Sequence, residues 1–227
     1  MYLRLMVDAM LFQYLKTFIS QERSARFQSV LAHRTKYITV ALEDVYQMHN
    51  TSAVVRSCDV FGIQEAHLIA SRYGKRLDKN IAMGAEKWVG IHRYGNAADC
   101  MGHLRAKGYK LVATTPHDHS CLLPDFELDT KVALFFGSEV NGLSPEVLEH
   151  ADGFLKIPMV GFTESLNISV SAAIILQILT TKLKILNVPW QLSADEKMAV
   201  ELQWMKKSIS SIDGILERYY LLQKTQL

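Results

Sequence analysis

Five polar residues in three separate stretches of the chain could act on a polar substrate: Asn50, Arg56, Glu139, Ser165 and Asn167. Arg56 carries a guanidinium, which stays charged in proteins and binds phosphate or stabilises a developing negative charge. Glu139 lies in a glycine-containing loop that follows an apolar run. Ser165 and Asn167, followed by Ser169, lie at the predicted start of a long apolar helix, where free backbone N–H groups favour an anion or a polar ligand. These residue types fit a site for an anion or a polar ligand.

Each of these residues also has a purely structural interpretation. Asn50 at a helix start would cap free backbone N–H groups. A single helical arginine such as Arg56 is usually a solvated surface residue, and Glu139 could form a surface salt bridge. Ser165 could be the N-cap of the helix that follows it. Taken singly, the three stretches therefore leave both interpretations open.

The elements that would position these residues alternate between strands and helices. Short β-rich runs cover residues 37–42, 66–70, 88–94, 109–114, 132–136 and 154–157. Apolar residues at helical spacing predict helices over 50–61, 97–107 and from about Ser165 to Ile185. This alternation is typical of an α/β fold, a mostly parallel sheet with helices on both faces. Ligands of such sheets bind at the carboxyl ends of the strands, where Glu139 lies.

Helical segments are also predicted on both sides of the alternating region. Apolar spacing predicts one amphipathic helix over residues 10–34. Towards the other end, Pro189 ends the long apolar helix, and Ser193 with Glu196 resembles a capping box for a last helix. We therefore predict an N-terminal helical extension over 1–36, a central domain over 37–187 and a C-terminal helical extension over 188–227.

The composition excludes several classes of protein. With 227 residues, 49% hydrophobic and 21% charged, the chain is typical of globular proteins rather than disordered or coiled-coil ones. Cys58, Cys100 and Cys121 are too widely spaced for a disulfide framework or a CxxC metal motif, so we expect a cytoplasmic protein without a metal. No stretch is credible as a signal peptide or membrane span. A net charge of +2 does not by itself indicate a nucleic-acid partner.

Three sequence stretches are more specific together than any of them is alone. They are Asn50-x5-Arg56, FFGSEVNGLS at 135–144 and IPMVGFTESLNISVSAA at 157–173. In this order within one chain, they resemble the three motifs of the SpoU/TrmH branch of the SPOUT RNA methyltransferases, and the resemblance extends from Thr39 to about Thr180. It implies a trefoil-knotted sheet, a homodimer formed through the knot region, and 2'-O-methylation of RNA with S-adenosylmethionine bound against the knot loops.

The resemblance also implies roles for individual residues. Arg56 matches the catalytic arginine of the family, and the polar residues around it are matched by Asn50, Glu139, Ser165 and Asn167. The cofactor pocket is expected to include Thr114, Gly137, Ile157, Met159 and Leu166. Contacts through backbone and apolar groups would account for the absence of a GxGxxG fingerprint. A guanidinium has a pKa above about 12, so the identity of the proton acceptor, whether Arg56, an RNA phosphate or water, stays open.

Clustered basic residues predict where RNA would bind. They are Arg23, Arg26 and Arg34 near the N-terminus, His49 beside Asn50, and Arg72, Lys75 and Arg76 in a loop after a strand. With helical segments at both ends, the chain is most similar to family members that methylate the D-loop guanosine of tRNA. We therefore expect tRNA as the partner and neither DNA nor a membrane.

Other functions fit part of the pattern. A ribosomal RNA or wobble-position tRNA enzyme of the same family would carry the same motifs. A knotted protein that binds RNA without catalysis is a further alternative. The chain argues against it by retaining four residues together, namely Arg56, Glu139, Ser165 and Asn167. A flavodoxin-like nucleotide-binding protein would show the same strand and helix alternation, but the chain lacks a phosphate-binding loop.

Overall fold

The computed structural model describes residues 2–45, 47–70, 84–116 and 120–225, with only the backbone of 2–8 and 225. The chain divides into two compact units. The helical unit combines Met1–Arg34 with Gln191–Leu227, and the sheet unit consists of Thr35–Trp190. The two terminal extensions therefore belong to one compact unit.

The described strands of the sheet unit form one seven-stranded sheet in the order β3-β2-β1-β6-β4-β7-β5. They are β1 Ile38–Glu43, β2 Glu65–Ile69, β3 Gly90–Tyr94, β4 Lys110–Thr114, β5 Cys121–Leu122, β6 Val132–Phe136 and β7 Gly153–Lys156. Every described pairing is parallel, and Leu42 on β1 lies opposite Phe136 on β6. The predicted parallel sheet is confirmed.

Helices cover both faces of this sheet, as predicted. They are α3 Met48–Phe61, α4 Ala97–Ala106, α5 Pro145–His150 and α6 Ile168–Ile185, with 3₁₀ turns at Ala85–Lys87 and Leu123–Asp125. Side chains alternate along each strand, so Val40 packs in the apolar layer that contains residues of α3 and α6. Ala41 packs in the opposite layer, which contains residues of α4 and α5.

Helix α6 forms the centre of the larger apolar layer. It is long and apolar enough, by length and composition alone, to cross a membrane. In the sheet unit, however, Leu176 and Leu179 are fully buried and pack in the same apolar layer as Val54 of α3. We therefore interpret α6 as the core helix of an α/β domain.

The helical unit contains α1 Tyr2–Lys16, α2 Gln21–Leu31, α7 Ala194–Ser208 and α8 Ile212–Thr225. The single helix predicted over 10–34 is wrong, because residues 17–20 separate two helices. Ser20 is the N-cap of the second, and its side chain accepts a hydrogen bond from the backbone N–H of Arg23. The capping box predicted for α7 is confirmed, since Ser193 and Glu196 make both of its hydrogen bonds.

Candidate functional site

A cavity of about 530 Å³ lies at the carboxyl ends of β4, β6 and β7. The loops that follow these strands and the first turn of α6 form its walls. All five residues predicted for the cofactor pocket line it, namely Thr114, Gly137, Ile157, Met159 and Leu166. Its volume falls in the range of small-molecule sites in proteins. The structure therefore places the predicted pocket residues around one shared space.

The loop over residues 137–143, which we call the β6 loop, is closed on itself. The backbone N–H of Ser138 donates to the carbonyl of Gly142 at 2.9 Å, and the N–H of Gly142 donates back at 3.0 Å. Gly142 has a φ of +65°, a left-handed conformation that favours glycine. A Cβ on Gly137 would lie 2.1 Å from the carbonyl carbon of Gly142. Both glycines are therefore required by the geometry of this loop.

A chain of side-chain hydrogen bonds connects the three motif stretches. The amide nitrogen of Asn50 donates to Oε1 of Glu139 at 2.5 Å, and that of Asn167 donates to Oδ1 of Asn50 at 3.2 Å. Oδ1 of Asn167 accepts from the backbone N–H and the hydroxyl of Ser169, at 2.9 and 2.6 Å. Because Ser169 occupies that oxygen, the amide nitrogen of Asn167 must face Asn50. The network therefore has a fixed direction that ends on the Glu139 carboxylate.

The structural interpretations of Asn50 and Ser165 are both wrong. Helix α3 begins at Met48 with Gln47 as its N-cap, so Asn50 lies within the first turn and is 2% exposed. The N-cap of α6 is Asn167, while Ser165 lines the cavity. The structure thus uses Asn50 to connect the motif stretches rather than to cap a helix.

Arg56 lies apart from this network. It is exposed on α3, six residues after Asn50 and so roughly 9 Å further along the helix axis. Arg56 is not one of the described residues that line the cavity. No described residue forms a hydrogen bond with its guanidinium. His49, next to Asn50, is likewise exposed. Within one chain, the structure does not bring Arg56 into the cavity.

The basic residues predicted to contact RNA have different surroundings. Arg23 and Arg26 are exposed on α2. Arg34 is 1% exposed, and its guanidinium lies 5.4 Å from the centre of the Trp204 ring. It therefore lacks the exposed charge that an RNA phosphate contact requires. Arg72, Lys75 and Arg76 lie outside the described residues.

Sequence reasoning did not foresee the roles of two residues that support the site. Ser169 orients Asn167, and its signal was the Asn-x-Ser spacing, in which an asparagine side chain bonds to the backbone two residues on. Glu43, at the end of β1, accepts hydrogen bonds from the backbone N–H and the hydroxyl of Ser144, at 2.8 and 2.6 Å. Its signal was a charged residue at the end of an otherwise apolar strand. In the part of the chain that the structure describes, no group of three or more potential ligands is arranged to hold a metal ion.

Comparison with known proteins identifies clear relatives. The profile of the SpoU rRNA Methylase family matches residues 37–177. A tRNA (guanosine(18)-2'-O)-methyltransferase of Borreliella burgdorferi is 36% identical over 201 residues, which cover 88% of this chain and 92% of that protein. A protein of the same name from Thermus thermophilus is 35% identical over 157 residues, or 69% of this chain and 81% of that one. Among solved structures, the A. aeolicus TrmH/SpoU tRNA modifying enzyme matches with a TM-score of 0.75 and 30% identity, over 83% of this chain and 98% of that chain.

Proposed function

The chain belongs to the SpoU rRNA Methylase family, and we propose that it transfers a methyl group from S-adenosylmethionine to the ribose 2'-hydroxyl of guanosine 18 in the D-loop of tRNA. The observation that carries this proposal is the convergence of the three motif stretches. Asn50, Glu139 and Asn167 form one hydrogen-bonded network, and the second and third stretches also wall the cavity. The choice of tRNA rests on relatives that this chain matches over most of their length.

The cavity fits S-adenosylmethionine. The β6 loop borders the cavity with Gly137 and Gly142, which can offer only backbone groups, and such groups suit a cofactor with many polar atoms. Ile157, Met159 and Leu166 suit its apolar parts. The hydroxyl of Thr114 already donates to the carbonyl of Phe135 at 2.8 Å. We therefore expect Thr114 to contribute its backbone and methyl group rather than its hydroxyl. When bound, the cofactor supplies a methyl group that its positive sulfur has activated.

The protein side of the reaction consists of alignment and proton removal, because a ribose hydroxyl is a weak nucleophile. The network fixes Asn50 and Glu139 beside the cavity, where they can orient the ribose. We propose that Arg56 binds the phosphate next to the target ribose and stabilises the developing alkoxide. A guanidinium with a pKa above about 12 rarely gives up its proton, so that phosphate or a water molecule accepts the ribose proton.

Arg23, Arg26 and His49 are exposed basic residues, and they are the described candidates for further RNA contacts. Each phosphate contact of this kind releases counterions and makes RNA binding weaken as salt rises. We propose that these three residues contribute to tRNA affinity rather than to chemistry.

We further propose that the protein is a homodimer formed through the segment Met159–Val170. Val160 and Phe162 are fully exposed in a single chain, and Val170 is 45% exposed. Apolar surface of this extent on a globular protein usually marks an interface. Met159 and Leu166, which are also partly exposed, line the cavity as well, so an interface here would border the methyl-transfer site.

The proposed function is tested by methyl transfer from labelled S-adenosylmethionine to total tRNA and, separately, to ribosomal RNA, with the modified nucleotide mapped. We expect label at guanosine 18 of tRNA with the wild-type protein. Arg56→Ala and Arg56→Lys should lower the rate by about a hundredfold or more. Alanine removes the contact that stabilises the developing charge, and lysine cannot bind the phosphate through two hydrogen bonds as arginine does. Cofactor affinity should not change, since Arg56 does not line the cavity.

Arg105→Ala is the matched control for loss of an arginine. Arg105 lies on α4 and pairs with Asp152 at 3.0 Å, away from the cavity, so this variant should keep full methyl transfer. Label found only in ribosomal RNA would retain the chemistry and overturn the tRNA substrate. Full activity of Arg56→Lys would contradict the role of Arg56, and cofactor binding without transfer to any RNA would favour a non-catalytic RNA-binding protein.

A further inference from the structure

We propose that Glu43 is a positioning residue for methyl transfer, which clamps the β6 loop in the geometry that binds S-adenosylmethionine. The proposal rests on the proposed function. Glu43 does not line the cavity and so acts through the loop that does. The residue it holds directly is Ser144, which follows the loop and is the N-cap of α5.

The surroundings of Glu43 show that it is not an ordinary surface carboxylate. It is 5% exposed at the end of a central strand. Among the described residues it has no ion-pair partner, and Ser144 supplies both of its hydrogen bonds. A buried carboxylate without a cationic partner is costly for stability. Its two charge-assisted bonds to one residue therefore indicate a role in fixing that residue.

Strand β1 fixes both ends of the β6 loop. Leu42 pairs with Phe136, the residue that precedes the loop. The next residue on β1, Glu43, holds Ser144, the residue that follows the loop. Two adjacent residues of one strand thus set the separation of the loop ends, and the Ser138–Gly142 bridge closes the loop between them.

A shift of the Ser144 end would reach the site by two routes. A Cβ on Gly137 would lie 2.1–2.2 Å from the backbone of Gly142 and Leu143, so Gly137 packs directly against the Ser144 end of the loop and the cavity wall would move with Ser144. Glu139 lies at the tip of the same loop, and its bond to Asn50 joins the loop to α3. Release of the clamp should therefore weaken cofactor binding and disturb the Asn50 network together.

The test measures S-adenosylmethionine affinity by isothermal titration calorimetry at a temperature where circular dichroism shows every variant folded. Glu43→Met keeps the length of the side chain and removes both acceptors, and Ser144→Ala removes the hydroxyl. We expect each to weaken binding by about tenfold or more. Glu43→Gln, which retains an acceptor, and Ser144→Thr, which retains the hydroxyl, should bind close to wild type.

Ser193→Ala is the control for loss of a helix cap. Ser193 caps α7 in the helical unit in the way that Ser144 caps α5, so its removal should lower the melting temperature without changing cofactor affinity. The double variant Glu43→Met with Ser144→Ala should bind no more weakly than the poorer single variant, because both changes break the same clamp.

The outcomes separate the two proposals. If wild type does not bind S-adenosylmethionine, both proposals fail. If wild type binds it, and Glu43→Met and Ser144→Ala bind it as tightly as wild type does, the clamp is overturned and the proposed function stands. Additive losses in the double variant would also overturn the clamp. If Glu43→Met does not fold, the affinities of Ser144→Ala and Ser144→Thr for S-adenosylmethionine are compared instead. Equal affinities of these two variants would contradict the proposal.

Discussion

Any side chain at position 137 would collide with backbone atoms, so substitution of this single residue should have a large effect. The nearest atoms to a Cβ at Gly137 belong to the backbone of Gly142 and Leu143, at 2.1–2.3 Å. Backbone cannot rotate away as a flexible side chain can, so Gly137→Ala must displace the β6 loop. We expect a loss of about 1–3 kcal/mol in unfolding free energy and cofactor binding weakened by about tenfold or more.

Gly102→Ala provides the contrast. Gly102 lies inside α4, and a Cβ there would meet no atom within 4 Å. Alanine is the better helix former, so we expect a gain of roughly 0.5–1 kcal/mol and unchanged cofactor affinity. Urea unfolding and calorimetry on both variants check the pair. Wild-type affinity in Gly137→Ala would show that the loop is not as tightly closed as the structure indicates.

A buried histidine makes stability depend on pH. His67 on β2 is 0% exposed, and burial together with the neighbouring His92 lowers its pKa from 6.5 to about 3. In the unfolded chain it regains a proton below pH 6.5, while the folded chain keeps it neutral. Titration of His67 therefore does not reduce the free energy of unfolding above pH 6.5. As the pH falls from 6.5 towards 3, it lowers the free energy of unfolding by about 1.4 kcal/mol per pH unit.

His67→Phe removes this titration at similar volume. Urea unfolding at about pH 7 and about pH 5.5 should show that wild type loses more stability on acidification than the variant does. Tyr94→Phe is the control, because it removes the hydrogen bond between the Tyr94 hydroxyl and Nδ1 of His67 but keeps the imidazole. It should retain the wild-type slope. The other ionisable groups around His67 remain in both proteins, namely Glu65, His92, His103 and Lys107. Equal slopes in wild type and His67→Phe would contradict the assignment.

At this residue scale, the sequence predicted the members of the site better than their roles. The three motifs identified Asn50, Glu139 and Asn167, but only the folded chain shows that the amide of Asn167 donates to Asn50 and the amide of Asn50 donates to the Glu139 carboxylate. Glu43 lies outside the three motifs, and its role depends on a partner, Ser144, that lies 101 residues away. Arg34 failed for a similar reason, since its burial depends on Trp204, which comes from the other end of the chain.

At the scale of elements, prediction succeeded where apolar residues recurred regularly over a long stretch and a glycine or another terminating residue marked its end. Strand β6 was predicted with the bounds observed, and α4 ends close to Gly108, whose φ of +78° fits a helix stop. The break over 17–20 escaped notice, because apolar residues continue at helical spacing through it. Strand β5 has only two residues, too few for any period. Helix α8 was missed, and Gly214 within it weakens the local helical signal.

At the scale of the whole molecule, local sequence patterns do not predict how distant segments are arranged. Alternating strands and helices predict a parallel sheet, but the order β3-β2-β1-β6-β4-β7-β5 depends on which distant strands pair. The trefoil knot implied by the family resemblance stays a prediction, because it concerns the path of the chain rather than any local element. Likewise, the grouping of both termini in one unit depends on contacts such as that between Gln28 and Glu201.

The proposed dimer is the prediction that belongs to this largest scale. Wild type should show twice the chain mass of 25.7 kDa in light scattering. Phe162→Glu places a charge on the most exposed apolar side chain of the 159–170 segment and should yield monomers, because a charge buried in an interface without a partner is costly. Those monomers should also bind S-adenosylmethionine more weakly, since Met159 and Leu166 of the same segment line the cavity.

Leu222→Glu separates this effect from a general change in surface charge. Leu222 is 52% exposed on α8 in the helical unit, outside the proposed interface, so this variant should stay dimeric and bind the cofactor normally. A monomeric wild type, or a Phe162→Glu protein that remains dimeric, would rule out this segment as the interface. Monomers with unchanged cofactor affinity would retain the interface and show that each chain completes its cavity alone.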